Sequence, residues 1–529
     1  MKPASRWFWP AVVAMLCAMA TLEILSMLGE SQTYDEGFHI TAGFSYWKTG
    51  DFRLNPEHPP LSKLLAAMPL LAAGAQWNPD PEQWKNSDII SLFGYFIYRN
   101  ALDADRLLLL ARLPTVLISV LLGVAIACFT RAHFGAAAGL TALFFYATDA
   151  NFIAHGHYVT SDAIAALTIF VSAIAWLRAL ESDRPRDFAI AGFALGLALA
   201  AKFSTVFLLP VHVLAALWKR KLRFDACAIA LAAAVAVVAA MYWPQTAAWN
   251  SLGPLAKEIP PGTKMSTALT QFATDYRLPN HGYLNGLVQV YSHEDSGHRT
   301  YLNGAVKERG TWLYFPEAFA VKTPSATLIL AVLAIAASIL RPGPLALYPA
   351  IYAALAVSSS LNIGLRHLLP VYPFLFVSIG RVFANRRWLI VAAAAVQLFE
   401  LARVHPDYLA SFNTLAGGPA KGHEYLLDSN LDWGQDAKKL GQWMRQNKVD
   451  EICLSYFGTA SLDYYGVRQI PLIGMPESER RKLSCRAAVS LNNLFDIYTP
   501  AGTHAWARKL TPVDRVGRSI WIFRMEPGR

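Results

Sequence analysis

Apolar blocks of membrane-crossing length recur along this sequence, and nothing else limits its fold as strongly. Residues 7–29, 107–130, 224–243 and 388–404 each have about the length needed to cross a hydrocarbon core of roughly 30 Å. With 54% hydrophobic and 16% charged residues over 529 positions, a string of ordinary soluble domains is excluded. A net charge of +10 in a soluble chain would raise the question of nucleic acid. Here the basic residues fall between apolar blocks: Lys2 and Arg6, Arg131, Arg178 to Arg186, Lys219 to Arg223, Arg341, and Arg381 to Arg387. If the blocks alternate across a membrane, all of these share one side, which the positive-inside rule makes cytoplasmic, and no nucleic-acid partner is called for.

Counting from a cytoplasmic start gives roughly eleven spans and an outer C-terminal segment. Ala18 and Ala20 offer a signal-like cleavage site, but the apolar stretch runs on to Gly29, and removing it would break the alternation. The predicted spans are 7–29, 107–130, 135–154, 162–180, 188–201, 203–218, 224–243, 323–340, 344–360, 367–383 and 388–404. Residues 30–106 form an outer loop with two helices on the membrane surface, one over 36–47 stopping at Gly50 and one over 61–74. Residues 244–322 form a second outer segment. From His405 onward the composition turns ordinary, and a helix at 435–446 with strands at 451–457, 487–491 and 520–525 predicts a small α/β domain outside the membrane. The fold class is therefore a polytopic α-helical membrane protein, residues 1–404, with an extracytoplasmic α/β domain, residues 405–529. Of the five cysteines, only Cys453 and Cys485 lie where a disulfide could form outside.

Polar residues near a membrane are costly, so those at span ends on a common side are the informative ones. The alternation gathers Asp35 and Glu36; Glu57, His58 and Lys63; His155, His157 and Asp162; and Lys202, Asn362, Arg366 and His367 at the outer face. Each has a plain structural reading as well. Thr33 and Glu36 have capping-box spacing, His58-Pro59-Pro60 is a loop-to-helix junction, Asp162 or Ser161 caps the span that follows, and Lys202 can snorkel at a hairpin. Arg366 stands on the side where basic residues are sparse. Asp428, Asn430 and Asp432 begin like a calcium loop, but Trp433 occupies the position that needs glycine. Glu57, His58, His155 and His157 could meet at a divalent metal, though no pair has a helical ligand spacing, and whether a metal is used stays open.

Tyr34-Asp35-Glu36-Gly37, His58-Pro59-Pro60-Leu61 with Lys63, Thr160-Ser161-Asp162, Lys202-Phe203 and Arg366-His367-Leu368-Leu369-Pro370, in this order and on this side, resemble the protein O-mannosyltransferase and aminoarabinose transferase superfamily of GT-C glycosyltransferases. The resemblance is clearest over 29–210 and again at 362–373. It implies transfer of a sugar from a polyprenyl or dolichyl phosphate to an acceptor hydroxyl or phosphate, usually with inversion, on the outer face of the cytoplasmic membrane. It also implies that Asp35 is the base, with Glu36 and Asp162 as supporting acids. The segment 428–434 resembles a group of bacterial relatives and departs from the eukaryotic mannosyltransferases.

The chemistry such a reaction needs agrees with the residues present. A departing lipid phosphate calls for cations in a partly dry site, for which Lys202, Arg366 and Lys63 are candidates. His58, His155, His157 and His367 are candidates for substrate contact. The acceptor is a protein, a lipid or a polysaccharide. The rival reading is a transporter or flippase of lipid-linked sugars, which would more often show two matching halves with broken helices at mid-membrane; no such halves are found.

Overall fold

The computed structural model describes residues 6–247, 281–339 and 342–527. Lys2, Arg341 and the stretch 248–280 of the second outer segment lie outside them. All eleven predicted spans fall on helical segments. Among the described residues, four helices are long and apolar enough to cross a membrane: Phe8–Leu28, Ala104–Phe134, Asp162–Ser182 and Phe224–Pro244, with mean hydropathies of 2.1, 2.3, 2.0 and 2.3. The others are shorter apolar helices such as Ala136–Ala147, Phe203–Trp218 and Ser325–Ile339.

Three predicted spans are interrupted, each for a local reason. The 135–154 span breaks after Ala147 because the Asp149 carboxylate caps a new helix, accepting from Asn151 N at 2.9 Å. Asp side chains favour such restarts over helix interiors. The 203–218 span opens with a 3-10 turn, Phe203–Phe207, after Lys202 in extended backbone. The 367–383 span opens with the 3-10 segment Leu365–Val371, which contains Pro370, and Pro373 stands in the first turn of the helix that follows. Proline lacks the N–H that a continuous α-helix needs there. All three interruptions place polar side chains at one end of the helical bundle.

Close helix approach depends on small residues, as is usual where lipid supplies no hydrophobic drive between helices. A Cβ on Gly192 of Pro185–Ala201 would lie 2.1 Å from the Ala230 carbonyl oxygen of Phe224–Ala247. In the first outer loop, a Cβ on Gly43 would lie 2.0 Å from the Lys63 carbonyl oxygen. Glycine there lets the two surface helices, Glu36–Thr49 and Leu61–Ala72, touch backbone to backbone. The first ends as predicted at Gly50, in left-handed backbone (φ 69°), which returns its N–H to Tyr46 O at 2.9 Å. Two further loop helices, Pro81–Lys85 and Ile89–Tyr98, were not predicted.

The second outer segment holds the helix His281–Ser296, the hairpin β1 (Thr300–Leu302) and β2 (Ala305–Lys307), and the helix Tyr314–Lys322. The final segment forms a five-stranded sheet from β3 (Ile452–Ser455), β4 (Gln469–Pro471), β5 (Cys485–Ser490), β6 (Asp514–Val516) and β7 (Ile520–Met525), in the order β4-β3-β5-β7-β6. The first three are parallel and β7 and β6 antiparallel. The predicted helix is Ala437–Gln446, packed on this sheet. Cys453 on β3 and Cys485 on β5 form a disulfide.

The sheet and the bundle share buried surface. One continuous cluster runs from Phe8 and Tyr146 in the bundle through Trp433 to Cys453 and Phe523 in the sheet. Backbone bonds add to this contact: Ser31 N donates to Gln435 O at 2.9 Å and Tyr34 N to Trp433 O at 2.8 Å.

Candidate active site

The 30–106 loop, the ends of the interrupted helices and the final segment line a cavity of roughly 1160 Å3. Asp35, Asp162, Lys202, Arg366, His58 and His367 all line it. They come from five separate stretches of chain, and an ionic row joins four of them. Lys202 Nζ lies 2.5 Å from Asp162 Oδ1. Arg366 Nη1 lies 3.5 Å from Asp162 Oδ2 and 3.1 Å from Asp35 Oδ2. Thr160 Oγ1 also donates to Asp162, at 3.1 Å. The Arg366 guanidinium stacks over the Trp433 indole, 4.3 Å from the ring centre, which fixes its plane. Lys202 is buried and paired, so it does not snorkel.

Asp35 has the N-cap position of Glu36–Thr49, yet its side chain makes no capping bond. Its carboxylate keeps 27% exposure while Asp162 keeps 1%. Of the two acids, Asp35 is the one a substrate can reach.

Glu36 is turned the other way. Both of its oxygens bind Arg112, at 2.8 and 2.6 Å, and it also accepts from Thr33 N at 2.8 Å and Val159 N at 3.1 Å. Burial pushes this carboxyl up, but the Arg112 charge and hydrogen bonds prevail and hold it below its ordinary value. Glu36 thus ties the loop to the Ala104–Phe134 helix and does not line the cavity; it accepts from Thr33 N, but the capping box itself is not formed, because Asp35 and not Thr33 has the N-cap position.

Three other candidates are likewise structural in their contacts. Lys63 is fully buried and donates to the carbonyl oxygens of Asn55 and of His58, the latter at 2.8 Å, fixing the 55–58 loop and not reaching the cavity. His157 bonds Glu30 Oε2 at 3.0 Å and Ile153 O at 2.9 Å. His155 packs edge-on against Trp433 and Tyr158, behind the cavity wall. Among the described residues no group of three or more His, Cys, Asp or Glu is arranged to hold a metal. Glu57 and His58 line the cavity while His155 and His157 do not, so that foursome does not assemble. The place between Asp35 and Asp162 is taken by the guanidinium of Arg366. This donor set does not fit a divalent ion.

Some residues at or behind the site escaped the sequence reading. Arg112 lies inside an apolar span, and an unpaired-looking charge there was the available signal. His39 follows Asp35 by one helical turn, lines the cavity and pairs with the His58 ring at 4.9 Å. Burial, with Lys63 and Arg366 adding to it, drives His39 down to about 3, so its imidazole is neutral. His58 is held well below its ordinary range by burial and then by His39 and Lys63. Both histidines therefore offer hydrogen bonds without adding charge to the ionic row.

Part of this site lies in a stretch that is similar to a known family. Residues 104–243 match the family described as dolichyl-phosphate-mannose-protein mannosyltransferase, and this stretch contains both Asp162 and Lys202. The resemblance drawn from the motifs and this match overlap over residues 104–210. Among solved structures, ArnT from Cupriavidus metallidurans bound to undecaprenyl phosphate aligns over 98% of both chains, with 14% identity and a TM-score of 0.49. The Archaeoglobus fulgidus oligosaccharyltransferase in complex with Zn and sulfate aligns over 95% of this chain and 71% of its own, with 13% identity and a TM-score of 0.48. Arabinosyltransferase EmbB from Mycobacterium smegmatis aligns over 79% and 44%, with 13% identity and a TM-score of 0.31. No curated protein matches the chain in sequence.

Proposed function

We propose that this chain transfers a hexosyl or pentosyl unit from a polyprenyl-phosphate donor to an acceptor at the outer face of the cytoplasmic membrane, with inversion. The observation that carries the reading is the row Asp35, Arg366, Asp162, Lys202 along one cavity wall, within and beside a stretch that matches a lipid-phosphate-sugar-dependent family.

In the proposed reaction the acceptor oxygen attacks the anomeric carbon from the side opposite the phosphate. A new carbon–oxygen bond forms, the anomeric carbon–phosphate oxygen bond breaks with its electron pair left on the phosphate, and the acceptor proton passes to Asp35. The charges move together. At rest the two carboxylates and two cations of the row sum to zero. When Asp35 takes the proton, the row gains one positive charge as the leaving phosphate gains one negative charge. Arg366, released from Asp35, then has a nitrogen free for a phosphate oxygen, in a cavity where water screens poorly. Asp162 acts as the counter-ion that keeps Lys202 and Arg366 side by side.

Other features support the remaining parts of the reading. Phe203, Phe315, Tyr352, Leu355 and Ala356 give the cavity an apolar side toward the helical bundle, suited to a lipid tail. The disulfide in the final segment fits an oxidising compartment.

The test is turnover of radiolabelled polyprenyl-phosphate sugars by membranes carrying wild type or Asp35→Asn, scored as release of polyprenyl phosphate. Release by wild type and none by the variant at equal protein level is the expected outcome. An Asp35→Asn protein as active as wild type would sink the proposed base.

A further inference from the structure

The final segment contributes Phe457, Asn493 and Tyr498 to the cavity lining. Tyr34 stacks on Phe457 with ring centres 5.3 Å apart and planes 12° apart, and Phe457 stacks on Tyr498 at 5.1 Å and 12°. Parallel rings in contact are separated by about 3.5 Å, so these centre distances require each ring to slip sideways by roughly 4 Å past the next. The result is a staircase, with part of each ring face left uncovered. All three rings line the cavity, and Tyr34 and Tyr498 are exposed to 38% and 37%.

Polar groups flank the steps. The Tyr498 hydroxyl donates to the Asp428 carboxylate, and Asp428 lines the cavity too. Asn493, 3% exposed and also in the lining, donates to Ser455 Oγ at 3.1 Å. Ser455 Oγ in turn lies 2.8 Å from His504 Nε2, and His504 Nδ1 lies 2.9 Å from Asp496 Oδ1. This chain resembles a Ser-His-Asp nucleophile arrangement, but Ser455 has no exposed surface and does not line the cavity. It serves instead to hold the Asn493 amide in place.

The staircase begins at Tyr34, the residue before the proposed base. We propose that it is the acceptor subsite and that the acceptor it takes is a saccharide, which rests on the reading of Asp35 as base. Uncovered ring faces carry negative charge that attracts the C–H groups of a pyranose. Asp428 and Asn493 supply an acceptor-only group and a mixed donor and acceptor, the pair needed to bind vicinal hydroxyls. A peptide would want backbone partners, and none of the groups just named is a free strand edge. A sugar lying on Tyr34 and Phe457 brings a hydroxyl to Asp35, while the donor occupies the apolar side by Phe203 and Tyr352.

The experiment uses the full chain in lipid nanodiscs and saturation-transfer difference NMR. The probes are isomaltotriose, chitotriose and a Ser/Thr-rich decapeptide at equal concentration. At least one trisaccharide should show transfer to its ring C–H protons, reduced about tenfold in Phe457→Ala and kept in Phe457→Trp, which preserves an aromatic step. Neither trisaccharide binding, binding of the peptide alone, or saccharide transfer undiminished in Phe457→Ala would overturn the subsite. Release of polyprenyl phosphate from labelled donors by wild type, in native membranes that supply the acceptor, is measured in parallel. Saccharide binding without any donor cleavage would remove the transferase reading and leave the saccharide site standing. Donor cleavage without saccharide binding would remove the subsite alone.

Discussion

Asp35 and Glu36 are neighbours in sequence with opposite surroundings, and exchanging each for its amide should separate catalysis from stability. Glu36 and Arg112 have 0% and 1% side-chain exposure. Glu36→Gln removes the negative charge facing the buried guanidinium, which keeps the carbonyl oxygens of Met27 and Ser31, and the one amide oxygen must accept what two oxygens accepted before. Removing one partner of a buried ion pair costs about 3–5 kcal/mol. Against a total stability of about 5–15 kcal/mol this is a large fraction. Asp35→Asn removes one contact of a partly exposed carboxylate while Arg366 keeps Asp162, so its cost should be about 1 kcal/mol or less. The assay is thermal unfolding of detergent-solubilised protein by intrinsic tryptophan fluorescence, alongside donor turnover. Glu36→Gln should melt several degrees lower yet turn over donor when folded; Asp35→Asn should melt near wild type and be inactive. The reasoning is refuted if Glu36→Gln melts with wild type and is inactive, since the carboxylate would then be acting on substrate.

Four further outcomes follow from contacts described above. Arg366→Lys keeps the charge but loses the stack on Trp433 and the planar fork, and should lower kcat/KM about 100-fold with little change in melting temperature. Lys63→Met should reduce the folded yield without a selective rise in KM for donor, because the ammonium serves loop carbonyls; a donor-specific KM change would restore it to the phosphate site. The folded-state value of Glu36 lies below its ordinary 4.5, so its contribution is fully present above that pH and disappears as pH falls through the lowered value. Unfolding midpoints measured from pH 6 downward should therefore converge for wild type and Glu36→Gln. Cys453→Ser with Cys485→Ser should destabilise the sheet segment by about 2–4 kcal/mol, read as faster proteolysis within 450–527, and wild type should migrate differently on reducing and non-reducing gels.

What could be read from the sequence was what depends on local pattern. Apolar block length put each predicted span on helical chain, and the motif order selected Asp35, Asp162, Lys202, Arg366, His58 and His367, all of which line the cavity. Glu36 and His157 do not line the cavity because partners far along the chain, Arg112 and Glu30, hold them, and no spacing rule reports such pairings. Lys63 is held within its own loop, by the carbonyls of Asn55 and His58. Strands β4 and β6, of three residues each, are too short for any period to show. The aromatic staircase joins residues from positions 34, 457 and 498, and only the folded chain brings them into register.

The bonds from Ser31 and Tyr34 to Gln435 and Trp433 set the order in which this protein becomes competent during synthesis. The loop bearing Asp35 emerges early, whereas the indole on which Arg366 rests is made some 400 positions later; the Ser31 to Gly434 contact spans 403. Until that late segment is translated and docked, the early carboxylate has no backbone anchor and Arg366 no platform. A ribosome-bound intermediate that lacks only this last segment would have no assembled site, so under the proposed function a half-made copy would not consume lipid-linked sugar.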